Sequence, residues 1–336
     1  MDNGESINTK PITMKDLMGK ANKLNNDTKQ KLTVALALVI LCIFFSLSSE
    51  YFFNIDNFTT IAIQTAITAI TAYGMTYVII SKAVDLSIGS TLALSTVIVA
   101  MMLNAGAPLP VAIVVTMLSG CMIGAINGVF VSKMKLPPFV ATLGSQMAIR
   151  GFVMVVTDAR PVYITGNKSF QMIFQGKLFG IPLPVVYLVV FGIISSFILR
   201  KMVVGRQIFA VGSNEEAARL SGIKTDNIRI FAYLFSGLMA AIAGIIMTAR
   251  INSGQPTIGV AYEANAIAAA VIGGASMAGG HGSISGTILG AFIMSVLMSG
   301  LNLLNVSQNW QLFATGLVMI FAVYLDKIRR ERGTKK

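Results

Sequence analysis

Charge is scarce in this chain: charged residues fill 12% of its 336 positions, about half the share found in soluble domains. Water is therefore not its only solvent. Histidine occurs once, at His281, which excludes a multi-histidine metal site. The two cysteines, Cys42 and Cys121, lie inside apolar runs without a CxxC spacing and read as small buried hydrophobes. No G-x-x-x-x-G-K-[ST] phosphate loop occurs, so ATP is not hydrolysed here by that route. A Ser/His/Asp arrangement would need His281 as base, and that residue lies in a glycine-rich turn. No span carries paired carboxylates. The expectation is a chain that is itself no enzyme, without catalytic residues, metal or cofactor. No A-x-A-like cleavage site follows the first apolar run, which reads as a retained anchor.

What the chain has instead is hydrophobicity, at 54% of residues. Runs such as Leu32–Leu47 and Leu183–Leu199 hold no charge. A bilayer core of about 30 Å needs roughly 17–25 apolar residues per helix, and several runs reach that length. The expected class is all-α, a polytopic helical membrane protein with about ten transmembrane helices. Their approximate limits are 32–49, 58–81, 86–104, 110–131, 139–157, 183–199, 229–249, 264–276, 284–302 and 310–326. The eighth is short and interrupted by glycine, the pattern of a broken or re-entrant segment. Tails at 1–31 and 327–336 flank a transmembrane domain at 32–326, which carries a large loop at 200–229. Within the first tail, Thr13–Leu24 has the spacing of an interfacial amphipathic helix with a Lys-rich face toward anionic lipid.

The net charge of +12 is not a nucleic-acid signal, because the basic residues sit in the gaps between apolar runs. Of the 26 Lys and Arg, all but five fall in the two tails and alternate loops. The exceptions are Arg160, Lys168, Lys177 and Arg250 in the other loops, and Arg150 within a span. By the positive-inside rule this asymmetry expects both termini to be cytoplasmic.

Small residues recur every four positions in two stripes, Gly120–Gly124–Gly128 and Gly282–Gly286–Gly290, which fit tight helix seams, or else a dimer seam or moving surface. Arg150 is an intramembrane charge and so a candidate for the path or gate; it could equally snorkel toward Asp158 or structural carbonyls. Asp85 is placed to cap the third span or to couple energy. Glu263 and Asn265, at the outer end of the eighth span, are candidates for interface structure or solute contact. No single span carries a dense polar cluster.

The 200–229 loop contains Val211-Gly-Ser-Asn-Glu-Glu-Ala-Ala-Arg-Leu-Ser-Gly-Ile223. Ser213 is expected to cap a short helix, with Glu216 closing a capping box and Gly222 giving a left-handed stop. Ala217, Ala218 and Leu220 would form an apolar face, followed by Ile223. Two turns are not stable alone in water, so this helix needs something to pack against.

Glu216-Ala-Ala-x-x-x-Gly222 resembles the EAA loop of binding-protein-dependent ABC permeases, the element that docks on the ATPase. The longer Ile-x-Leu-Pro ending of that motif is missing, as in the branch that transports ribose and related sugars. Val84–Ser90, Pro137–Gly144, Gln255–Gly259 and Ala266–Gly280 resemble the same family in order, so the likeness covers about 32–326. Asn265 stands where an acidic residue is usual and His281 where a basic one is common. The resemblance implies a bacterial inner-membrane permease subunit. It also implies a homodimer in the lipid bilayer, an external sugar-binding protein, and an ABC ATPase subunit that holds ATP and Mg. The solute would be a ribose-like pentose or a hexose, with a nucleoside or branched-chain amino acid permease as the alternative. A self-sufficient carrier would need acidic or paired charges at mid-membrane, and only Arg150 comes near that.

Overall fold

The computed structural model describes residues 26–334; the expected amphipathic helix at Thr13–Leu24 lies outside the described residues. The first helices are α1 (Asn26–Ser48), α2 (Ile55–Ile80), α3 (Ile88–Asn104), α4 (Leu109–Ser132) and α5 (Pro138–Val156). A loop with the strand β1 (Val162–Tyr163), the helix α6 (Lys168–Gln175) and the strands β2 (Lys177–Leu178) and β3 (Ile181–Pro182) leads to α7 (Leu183–Lys201). Then come α8 (Val203–Ser213), α9 (Glu215–Leu220), α10 (Thr225–Ile251), β4 (Ser253–Gly254), α11 (Tyr262–Ile272), α12 (Ile284–Leu303) and α13 (Gln308–Thr334). The chain is an all-α, polytopic membrane protein.

Every expected span coincides with a helix. Eight of them are long and apolar enough to cross a membrane, among the described residues. The other two, α3 with 17 residues and α11 with 11, are shorter. At about 1.5 Å per residue, α11 covers roughly half of a hydrocarbon core. Irregular backbone flanks it on both sides, tolerated because neighbouring helices cover it. Proline sets several starts: Pro108, Pro137 and Pro182 occupy the caps of α4, α5 and α7, where a missing N–H costs nothing.

Helix α10 is the centre of the bundle, packed most extensively against α4, α2 and α3. Along α2 and α10 most side chains are buried, whereas α1, α5, α7 and α13 turn apolar residues outward, such as Leu47, Val155, Ile193 and Phe321. In a soluble protein such faces would be an error; here they meet acyl chains. Many polar side chains inside are paired. Tyr73 and Tyr77 of α2 donate to the carbonyls of Leu188 and Ser195 on α7 at 3.1 and 2.6 Å, and Thr76 meets Thr287 at 2.8 Å.

The first glycine stripe is an internal seam. A Cβ at Gly120 would lie 2.6 Å from the Ala241 Cβ, one at Gly124 2.9 Å from the Leu234 Cα, and one at Gly128 2.7 Å from the Ile230 Cα. All three neighbours belong to α10, so α4 and α10 touch backbone to backbone. In the second stripe Gly286 and Gly290 meet the backbone of Gly273 and Ala269 at α11. Gly282 is not part of that helical stripe: it precedes α12 and faces the Ile80 side chain. The spacing alone does not show where the helix begins.

The segment between α5 and α7 holds more structure than a plain loop. Asn167 caps α6 by accepting the Phe170 amide at 3.0 Å. Strand β1 pairs antiparallel with β4, Val162 opposite Gly254 and Tyr163 opposite Ser253. This pairing joins the α5–α7 loop to the exit of α10.

Candidate coupling surface and the polar residues of the spans

The 200–229 segment folds as two consecutive helices rather than one. Ser213 is the last residue of α8, and the chain turns at Asn214, whose φ of −156° and ψ of 103° are extended. The Asn214 side chain accepts the Ala217 amide at 3.0 Å, so the expected Ser213–Glu216 capping box is replaced by an Asn214 cap. Asn caps as well as Ser, and Ser213 is still engaged in the helix before it. The stop has the expected form. Gly222 sits at φ +82°, its amide donating to Arg219 and the Ile223 amide to Ala218, at 3.0 and 3.1 Å. That is a Schellman ending.

The apolar face of α9 also differs from expectation. Ala218 alone is buried; Glu216, Ala217 and Leu220 face outward, and Leu220 is 84% exposed. Ile223 packs, half-buried, on the core. Six residues at 3.6 per turn cannot bury positions 217, 218 and 220 together, since 218 and 220 lie about 160° apart. The inner side is fastened by charge: Arg229 of α10 donates to both Glu215 carboxylate oxygens, at 3.3 and 2.8 Å. That pairing holds the Glu215 carboxyl below its ordinary range.

Beneath α8 lies the glycine run that composition marks only as a turn. The Gly280 amide donates to the Ile80 carbonyl at 2.9 Å. A Cβ at Gly212 would lie 2.6 Å from the Gly280 nitrogen. The end of α2, the end of α8 and the turn before α12 therefore meet as bare backbone. This turn supports the α8–α9 pair, a role that no spacing in the sequence reveals.

The three path candidates separate. Arg150 of α5 donates Nη1 to the carbonyls of Pro256, at 2.9 Å, and Ile258; it does not pair with Asp158. Glu263 faces the same way and accepts from Gln146 at 3.3 Å. Together they hold the 255–261 loop against α5 and α3. Asn265, two residues on and therefore about 200° around the helix, faces a separate cavity. Asp85 is buried in the turn before α3, accepting the Ser87 amide and hydroxyl at 3.0 and 2.6 Å and the Ser236 hydroxyl of α10 at 2.7 Å. Ser87, not Asp85, holds the cap position of α3. Asn127 of α4 donates to Ser87 at 2.8 Å, so Asp85 is the centre of a tie among three helices. Among the described residues no three His, Cys, Asp or Glu side chains gather to hold a metal.

Comparison with known proteins agrees with this architecture. The family described as the branched-chain amino acid transport system permease component matches residues 57–323. A ribose import permease protein of Haemophilus influenzae is 42% identical, with 90% of this chain and 93% of that protein covered. Its Bacillus subtilis counterpart is also 42% identical, over 89% and 93%. The D-allose transport system permease protein of Escherichia coli is 37% identical, over 88% and 91%. No solved structure matches the chain. With most of its length matched by the family and nine-tenths aligned with ribose permeases, the chain belongs to the transport-system permease components, in their ribose-type sugar branch.

Proposed function

We propose that this chain is the membrane-embedded subunit of an ATP-driven importer and that it passes a small sugar, a ribose-like pentose or a hexose, across the bacterial inner membrane. The observation that carries the sugar is the 42% identity to ribose import permeases over nearly the whole of both chains. Hydrolysis belongs to a separate ATPase, which grips the 214–223 segment. In support, Leu220 stands 84% exposed on a short helix whose cap, stop and Arg229 anchor are all built. An exposed Leu on a capped and anchored short helix outside the spans leaves apolar surface open to a partner. An external binding protein delivers the solute at the opposite end, and a second copy of the chain completes the path. Both termini lie on the cytoplasmic side with the 200–229 segment, as the basic residues direct.

The test is reconstitution. Liposomes holding this chain, its ATPase and its binding protein should accumulate labelled ribose, allose or xylose only when ATP is supplied on the 200–229 side. Uptake driven by an ion gradient without ATP would overturn the reading in favour of a secondary carrier.

A further inference from the structure

Asn265 opens onto a cavity of about 570 Å³, within the roughly 300–1,000 Å³ typical of small-molecule sites. It lies at the far end of α10 from the α8–α9 pair. Arg250, in the last turn of α10, is at its rim, while Arg229, in the first turns, holds Glu215. Besides α10, four helices line it. From α2 come Gln64 and Thr68, from α11 Asn265, and from α12 Ser295; the start of α13 adds Gln308 and Thr315.

Two of these groups are unfinished. Ser295 is 1% exposed, and its hydroxyl has no hydrogen-bond partner within the protein. The Asn265 carbonyl oxygen is likewise buried without a partner. Many hydroxyls in the bundle, such as those of Thr65, Thr76, Thr116 and Thr248, are satisfied by the carbonyl one turn back. Thr91, Ser132 and Ser195 also carry buried hydroxyls without a partner, but of these unpartnered hydroxyls only that of Ser295 faces this cavity. Buried polar groups without partners carry a desolvation cost, which a ligand in the cavity would relieve.

The lining also selects a chemistry. Amides and hydroxyls donate and accept at once, as vicinal sugar hydroxyls do. No Asp or Glu lines the cavity, so nothing there meets the ammonium of an amino acid; Arg250 is its one charged side chain. Met294, Met298 and Leu312 offer apolar surface to the C–H face of a sugar ring. We infer that this cavity is a sugar-binding subsite of the permease itself, in which Asn265 and Ser295 hydrogen-bond the hydroxyls of a pentose or hexose in transit. The inference rests on the sugar-import reading, and it makes this chain, and not only an external protein, a determinant of specificity.

Ser295→Ala is the sharpest test. The hydroxyl has no protein partner, so removing it takes away no internal bond, and thermal stability should stay level or rise. Ribose uptake by the reconstituted importer should nonetheless fall several-fold in maximal rate, and about tenfold for Asn265→Leu, with ATPase stimulation and the half-saturating concentration retained. Ser295→Thr should restore the rate. The preference for ribose over 2-deoxyribose should narrow in Ser295→Ala and Asn265→Leu. Wild-type rate and preference in a correctly inserted Ser295→Ala and Asn265→Leu pair would overturn the subsite while leaving sugar import standing. A wild-type importer that carries ribose, allose and xylose not at all would overturn both.

Discussion

Replacing Leu220 by Ala isolates the docking of an ATPase from the folding of the permease. Leu220 is 84% exposed, so its removal should change the stability of the free subunit by no more than about 0.5 kcal/mol. Fully burying a Leu side chain is worth about 1.5–3 kcal/mol. Ala keeps one carbon, so a partner whose pocket takes Leu220 should lose about 2 kcal/mol. At about 1.4 kcal/mol per decade, that is roughly a thirtyfold weaker Kd. The assay is titration of the ATPase onto the permease in nanodiscs, with stimulated ATP hydrolysis as the second readout. Leu220→Met, which conserves volume, should recover most of the affinity. If Leu220→Ala and Leu220→Asp both bound within twofold of wild type, the outward side of α9 would not be the docking surface.

Three further outcomes follow from the packing. Gly222→Val meets no neighbour within 4 Å but must adopt φ +82°, a cost on the order of 1 kcal/mol or more; the subunit should insert normally and lose ATPase stimulation. Gly124→Val should do the reverse, because its side chain runs into the backbone of Tyr233 and Leu234 and overpacking a helix seam costs about 1–3 kcal/mol or more; a lowered Tm with the α9 surface intact is the expected result. Glu215 is held below its ordinary value of 4.5 by Arg229. Its contribution to stability should therefore be full above pH 4.5 and vanish as pH falls through the lowered value. Thermal unfolding of wild type and Glu215→Gln should differ at pH 7 and converge in acid.

The helices were legible because lipid imposes length and polarity together: all ten apolar runs became helices, and the short eighth run became the 11-residue α11. Small-residue spacing showed that a seam exists, but not that its partner is α10, which is contributed from more than a hundred residues away. Local rules failed where two were satisfied at once. Ser213 and Asn214 are both good caps, and only the extent of α8 decides for Asn214. Composition could not separate Glu263 from Asn265, because the loop that Arg150 organises sets which side of α11 faces a wall and which faces open space. Of the cavity the sequence marked only Asn265. Apart from α13, which supplies Gln308, Asn309, Gln311 and Thr315, each helix gives it only one or two polar or charged residues, spread from position 64 to position 265 and beyond, so the cluster exists only once the bundle has closed.

Helix α10 has mechanical consequences of its own. It runs 27 residues, about 40 Å, from the Glu215 anchor to the rim at Arg250. Because Gly120, Gly124 and Gly128 of α4 bring it against the backbone of α10, the two helices have little room to slide apart and are expected to move as one arm. A rocking of that arm by about 5° would displace its far end by roughly 3.5 Å over such a length, a little more than half the width of a sugar ring. On the proposed docking of an ATPase at the six residues of α9, a push at one end would then be felt at the other without any relay of side-chain rotations.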